Sequence, residues 1–194
     1  MIVCKFGGSS LADAGQIKKV KAILDSDERR TIAVVSAPGK RDSSDEKITD
    51  MLYECNALAG QNKSCRPVFD RVAERYLEIA SALKLDAARL SAALDDVRQN
   101  IDAGRGLDYA ASRGEYLSAQ IVAAYLGWEF VDAADYIVIN SDGTVNPLSY
   151  ERLSARFAEG GHYVLPGFYG SNERGAVKIF SRGGSDISGA IAAC

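Results

Sequence analysis

Ile2-Val3-Cys4-Lys5-Phe6-Gly7-Gly8-Ser9-Ser10, followed by an amphipathic run and then by Thr31-Ile32-Ala33-Val34-Val35, decides the fold. Ile2 to Phe6 reads as a short buried strand that ends on a glycine pair. Ile17, Val20, Ile23 and Leu24 then repeat at helical spacing, with Lys18, Lys19 and Lys21 on the wet side. Thr31 to Val35 is a second, β-branched strand, closed by Ser36-Ala37-Pro38-Gly39. Strand, glycine loop, helix and strand in that order form the βαβ unit of a parallel sheet, so the class is α/β.

The rest of the chain extends the pattern. Lys40 to Glu46 is polar and aperiodic and reads as an exposed loop, a candidate for ordering on ligand binding. A helix is expected from Lys47 to about Ala59, ending at Gly60. Val68, Val72, Tyr76, Ile79 and Leu83 mark a long helix. Leu90, Leu94, Val97 and Ile101 mark another, which starts near Asp86 as N-cap and breaks at Gly104 and Gly106. Their apolar stripes read as the core of a helical layer or lobe. A further helix is expected over Glu115 to Leu126, closed by Gly127, with strands over Trp128 to Asp132 and Tyr136 to Ile139. Ser149 is the expected cap of a helix through Ala158. His162 to Leu165 reads as a strand broken by Pro166-Gly167, and Ala176 to Phe180 as a strand feeding a second glycine pair. Asp186 to Cys194 reads as an apolar helix just begun, so the chain is expected to be cut short.

At 194 residues the chain is one large domain or a two-lobed piece of something larger. A chain of that length buries about 70% of its unfolded surface without a disulfide or metal staple. Hydrophobic residues make up 47%, charged residues 25%, and the formal net charge is −3. That balance lacks the clustered excess of Lys and Arg that an extended nucleic-acid footprint needs, but leaves room for a small anionic ligand. Cys4, Cys55, Cys65 and Cys194 show no CxxC pairing and His162 is the only histidine. A metal site held by the protein is therefore not expected, and the cysteines read as free thiols of a reducing compartment. No apolar run reaches ~18 residues, so no membrane span is expected, and the first residues do not read as a signal peptide.

Three clusters carry candidate chemistry. Lys5-Phe6-Gly7-Gly8-Ser9-Ser10 and Ser181-Arg182-Gly183-Gly184-Ser185-Asp186 each join glycines to hydroxyls and one fixed cation, at an expected strand-to-helix junction. Glycines let backbone N–H groups come close, a helix start supplies positive partial charge, and Lys or Arg adds a full charge, a combination that suits a phosphate. The Lys5 ammonium is placed to reach a transferring phosphoryl group. Arg182 offers a planar fork for a carboxylate or phosphate, and Asp186 falls in a first helical turn, where the dipole stabilises an anion. Neither the Walker-A nor the GxGxxG spacing is present. Ser112-Arg113-Gly114-Glu115 puts a hydroxyl, a glycine and a carboxylate at an expected helix start, suited to a substrate ammonium or to capping.

The KFGGxS start, the SxGE segment, the Pro166-Gly167-Phe168-Tyr169-Gly170 turn and the RGGSD segment stand in the order seen in aspartate kinases, of the amino-acid kinase superfamily. The resemblance covers essentially the whole chain. It departs from the family at Ser9, where Thr is usual, and at Phe180-Ser181, where Leu-Gly is usual. The resemblance implies a three-layer αβα sandwich with a mainly parallel sheet and a helical sub-lobe. It also implies transfer of a phosphoryl group from ATP, with Mg²⁺, to the β-carboxylate of L-aspartate in the cytoplasm, the first step towards lysine, threonine and methionine. By the family pattern Lys5 stabilises charge on the transferring phosphoryl, with Gly7, Gly8, Ser9, Gly183 and Gly184 around the phosphates. Asp186 orients the catalytic lysines, Glu115 holds the substrate ammonium, and Arg182 a substrate carboxylate. Ser185 lies near the reacting groups, and Ser36, Thr49 and Phe168 contact aspartate. Acetylglutamate kinase, glutamate 5-kinase and uridylate kinase are near alternatives; a non-catalytic binding or assembly module that keeps the fold is the alternative of another class. Residues 1–194 are expected to be the N-terminal, substrate-binding portion of the catalytic domain, without the nucleotide-binding half and regulatory ACT domains, and the full-length protein is expected to be a homo-oligomer. All of this requires the two ends of the chain to meet, so that Lys5 and Arg182 converge on one anionic pocket.

Overall fold

The computed structural model describes residues 1–181 and 183–194; Arg182, an expected substrate contact, lies outside the described residues. Strand β1 (Ile2–Phe6) runs parallel to β2 (Arg30–Val35), with Phe6 opposite Val35. Between them a 3-10 turn (Gly8–Leu11) leads into α1 (Ala14–Asp25). Asp13 caps that helix, its carboxylate accepting the Gln16 N–H at 2.8 Å. β3 (Glu129–Phe130) and β4 (Tyr163–Pro166) complete a four-stranded parallel sheet in the order β1-β2-β4-β3.

The alternation of side chains along β2 sets the layers. Ala33 and Val35 point into one apolar cluster, Ile32 and Val34 into another, and all four are fully buried. On the first side α1 and α5 (Leu107–Leu126) pack on the sheet. α2 (Ile48–Gly60), α3 (Arg66–Ala82) and α4 (Ala87–Asp102) stack on α5 and on one another as a helical lobe. On the other side α8 (Gly184–Ala193) lies across β1 and β2, with α7 (Leu148–Ala158) against it. The result is the three-layer αβα sandwich with a helical sub-lobe that the sequence implies. No helix among the described residues is long and apolar enough to cross a membrane.

Some elements differ from the sequence-based expectation. α5 begins at Leu107, not Glu115, so Ser112-Arg113-Gly114-Glu115 is helix interior and buried. Gly114 holds that position because a Cβ there would lie 2.9 Å from the Ala37 Cβ; its bare backbone lets α5 press against the segment after β2. The expected strand at Tyr136 to Ile139 is absent. Ala133–Tyr136 forms the short helix α6, whose N-cap Asp132 accepts the Ala134 N–H at 3.0 Å. Val138 and Ile139 make single bridges, to Ser171 and Val145. Ser149 is not a cap but lies within the first turn of α7, and its hydroxyl accepts the Val138 N–H at 2.8 Å. The strand expected at Ala176 to Phe180 is β6 (Val177–Ile179), paired antiparallel with β5 (Tyr169–Ser171) outside the parallel sheet.

Candidate active site

The crossing of α8 over β1 brings the two ends of the chain together. Gly189 faces Lys5, a Cβ on it lying 3.5 Å from the Lys5 Cβ, so helix and strand sit at van der Waals contact. One turn nearer the start of α8, Asp186 Oδ1 meets Lys5 Nζ at 2.8 Å. The lysine side chain is 31% exposed and the carboxylate 74%, so the pair borders space that a ligand can enter.

The two glycine turns beside this pair are built differently. At the first, a Cβ on Gly7 would stand 3.8 Å from Lys5 Nζ, with no other atom of the described residues nearer. Gly8 is closed: its carbonyl accepts the Gly39 N–H at 2.8 Å, and a Cβ on Gly39 would come within 2.7 Å of the Gly8 carbonyl carbon. Ser9 is exposed. The glycines do not open a helix directly, because the 3-10 turn intervenes and Asp13 already caps α1. This turn therefore offers backbone N–H groups and Lys5, without a helix dipole behind them. The second turn does open a helix. Gly183 (φ 59) is the N-cap of α8, no side chain among the described residues caps that end, and Asp186 lies in its first turn.

The Pro166-Gly167-Phe168 turn is clamped between the end of β2 and the start of α8. Gly167 donates its N–H to the Val35 carbonyl at 2.8 Å, and a Cβ on it would lie 2.7 Å from Ser185 Cβ. Phe168 takes φ 78, a backbone state that costs a non-glycine residue about 1–3 kcal/mol. Its N–H donates to Ser188 Oγ at 3.2 Å and its carbonyl accepts the Phe180 N–H at 3.0 Å. Gly184 backs it so closely that a Cβ would meet Phe168 Cα at 2.8 Å. Ser36 Oγ donates to Ser185 Oγ at 3.0 Å, joining the end of β2 to α8.

Glu115 is 5% exposed, and its Oε2 has no hydrogen-bond partner among the described residues. Burial pushes its carboxyl up to about 7, against the opposing pull of the Ala37 and Glu115 backbone N–H groups and the Arg113 charge. Thr49 is half-buried in the first turn of α2, next to Ile48, which covers the place where a Gly114 side chain would be. Lys5, Gly7, Asp186, Ser185, Ser36 and the Gly167–Phe168 turn thus form one locus, and Glu115 faces the same Ser36–Gly39 segment.

Two buried arginines escape the motif reading. Arg113, 4% exposed, stacks its guanidinium over Tyr109, Tyr116 and Tyr169 at 4.6, 4.3 and 5.1 Å and ties α5 to the β5 turn. Arg75, 7% exposed, lies on the stripe of α3 that carries Val68, Val72 and Ile79; a charge within an apolar stripe is the signal that marks it. A groove of about 490 Å³, lined by Leu85, Leu90, Ile121, Trp128 and Phe130 among others, lies apart from all of these groups.

The fold is a parallel α/β sandwich whose first strand carries a lysine onto a glycine turn, facing a glycine-opened helix. The chain belongs to the amino acid kinase family, whose sequence profile matches residues 1–194. It is 37% identical over 207 residues to aspartokinase 3 of Bacillus subtilis, an alignment that takes in 100% of this chain and 46% of that protein. The crystal structure of Clostridium acetobutylicum aspartate kinase superposes with a TM-score of 0.95 at 48% identity, covering 98% of this chain and 44% of that one. E. coli aspartokinase III, solved in complex with aspartate and ADP, shares the fold with a TM-score of 0.80 at 24% identity, covering 100% of this chain and 46% of that one. The chain therefore spans less than half the length of these relatives.

Proposed function

We propose that residues 1–194 are the acceptor-binding portion of a cytoplasmic aspartate kinase, which transfers the γ-phosphoryl group of ATP to the β-carboxylate of L-aspartate. The observation that carries this reading is the meeting of the chain's ends, with Lys5 on Asp186 beside the open Gly7 backbone. The aspartokinase relatives named above support the same acceptor.

The chemistry asks little of a base. A β-carboxylate oxygen, already ionised, attacks the γ-phosphorus; the bond from that phosphorus to the departing ADP oxygen breaks, and the products are ADP and an acyl phosphate. The difficulty is to hold two anions in line against their repulsion. Lys5 supplies a full charge and Gly7 and Gly8 a close-approaching backbone, with Ser9 at the same turn. Asp186 holds the lysine by its ion pair, and the start of α8 at Gly183 and Gly184 adds positive partial charge. Glu115 receives the substrate ammonium, and Arg182 a substrate carboxylate. Ser36, Thr49, Phe168 and Ser185 line the acceptor.

Among the described residues no group of three or more His, Cys, Asp or Glu side chains is placed to hold a metal. Mg²⁺ would arrive carried on the nucleotide phosphates, in keeping with that ion's preference for water and phosphate ligands, and Asp186 is the carboxylate of the site that would be available to it. When bound it would neutralise charge on the phosphates.

Calorimetry of the chain with L-aspartate and with ATP–Mg²⁺, joined to turnover of the complete polypeptide that carries these residues, tests the proposal. Lys5→Ala is expected to lower turnover by about 10²–10³ while L-aspartate still binds, the scale of losing one electrostatic stabiliser. Failure of the chain to bind either ligand would leave a non-catalytic module and overturn the kinase reading.

A further inference from the structure

We propose that Arg75 of α3 is a positioning residue for phosphoryl transfer, holding the Gly7–Gly8 turn in place through the backbone of Gly39. The inference rests on the function proposed above for that turn.

Gly8 does not set its own position. Gly39 lies against it, with its N–H on the Gly8 carbonyl at 2.8 Å and no room for a Cβ between them. Wherever Ser36–Gly39 goes, Gly8 must follow. The same segment reaches the other parts of the site, since Ser36 donates to Ser185 and the Ala37 backbone faces Glu115. What secures this segment on its far side is Arg75. One terminal nitrogen, Nη2, donates to the Gly39 carbonyl at 3.0 Å and to the Ala12 carbonyl at 2.7 Å; the other, Nη1, donates to Asp45 at 2.8 Å.

Ala12 directly follows the 3-10 turn that Gly8 begins, so a single side chain grips the turn from its exit and from the segment packed on it. A full charge this deeply buried is tolerated because two carbonyls and a carboxylate surround it. The planar fork matters: a lysine keeps the charge but cannot span three acceptors in one plane. Asp45 is in turn held by Arg41, at 2.8 Å, which also pairs with Glu78 at 3.0 Å. The Lys40–Glu46 loop is thereby fastened down as the outer anchor of the grip.

Hydrogen exchange of the full chain and kinetics of the complete polypeptide test this together. The Gly39 and Ser10 amides report the turn, since they bond to the Gly8 and Gly7 carbonyls. In Arg75→Lys these two amides should exchange about tenfold faster while those of β2 keep their protection, and kcat should fall by about 10- to 100-fold, the scale of a misplacement near 1 Å. Arg75→Lys and Gly39→Ala should be non-additive in kcat, because both displace Gly8 by one route. Should Arg75→Lys fail to fold, Asp45→Asn removes the outer anchor alone and should give the same two changes at smaller size. Unchanged protection, an unchanged kcat in an active enzyme, or additive losses overturns the proposal. Faster exchange in the variant of a protein that never phosphorylates aspartate would instead sink the kinase reading and leave the grip standing.

Discussion

At the scale of single residues, Glu115 separates a binding role from a structural one most sharply. Its carboxyl is raised to about 7, chiefly by burial. Its proton is therefore held in the folded chain across a range where the unfolded chain has already lost it. Its contribution to stability is fully present below the ordinary carboxylate range and is lost as pH rises through about 7. Glu115→Gln is uncharged at every pH, so its advantage over the wild type should grow as pH rises from the ordinary carboxylate range to about 7 and level off above it, reaching about 3 kcal/mol at pH 8 against about 1 kcal/mol or less at pH 5. Urea denaturation at the two pH values measures this; equal differences at both would show that the carboxyl is not so shifted. The ligand works in the opposite sense. An ammonium beside Glu115 favours the ionised form, so L-aspartate should bind more tightly as pH rises to about 7 and level off above it. Calorimetry should show a proton released on binding near neutrality, and in Glu115→Gln neither the proton release nor tight binding should remain.

At the scale of elements, α5 carries the most specific packing demand. A glycine inside a helix ordinarily gains about 0.5–1 kcal/mol on becoming alanine. Gly60, the last residue of α2, has open space around it and should follow that rule. Gly114 should not, because its Cβ would stand 2.9 Å from Ala37 Cβ and push α5 away from the segment after β2. Gly114→Ala is expected to cost about 1–3 kcal/mol by overpacking and to weaken L-aspartate binding, since Glu115 moves with the helix. Chemical denaturation of the two variants side by side checks the contrast; a stabilised Gly114→Ala would refute it. The same helix shows where sequence alone runs out. β1, β2, α3 and α4 are readable because their signals are local, an apolar period and a breaker at each end. Gly104 and Gly106 take positive φ and break the chain, whereas Gly114 continues α5, and its need for glycine is visible only in the contact with Ala37. Lys5 and Asp186 are readable as chemistry from their glycine neighbours, whereas Arg75 shows in the sequence only as a charge within an apolar stripe, and its partners, carbonyls from two distant loops, do not. The four-residue α6 has too little period to be seen at all, and the strand expected after it, over Tyr136 to Ile139, is reduced to single bridges at Val138 and Ile139.

At the scale of the whole molecule, the question is whether the helical lobe and the sheet fold as one body. The two apolar clusters are not independent, because β2 and β4 contribute alternate residues to each: Ala33, Val35 and Val164 on one side, Ile32, Val34, Tyr163 and Leu165 on the other. α8 closes the second cluster with Ile191 and Ala192 and ties it to β1 through the Lys5–Asp186 pair. Loss of either cluster strips one face of the same two strands, so neither face should survive alone. Trp128, the single tryptophan, packs against the first cluster, on the helical side. Leu165→Ala removes a fully buried side chain from the second cluster, on the opposite side of the sheet, and should cost about 2–5 kcal/mol. If the molecule unfolds cooperatively, Trp128 fluorescence and far-UV circular dichroism should report one midpoint, and Leu165→Ala should lower it equally by both probes. A fluorescence transition that stays in place together with most of the helical dichroism, while a smaller part of the dichroism is lost earlier, would mean that the helical lobe holds without the sheet. The ends of the chain could then part, and Lys5 and Asp186 separate, while Glu115 remained folded.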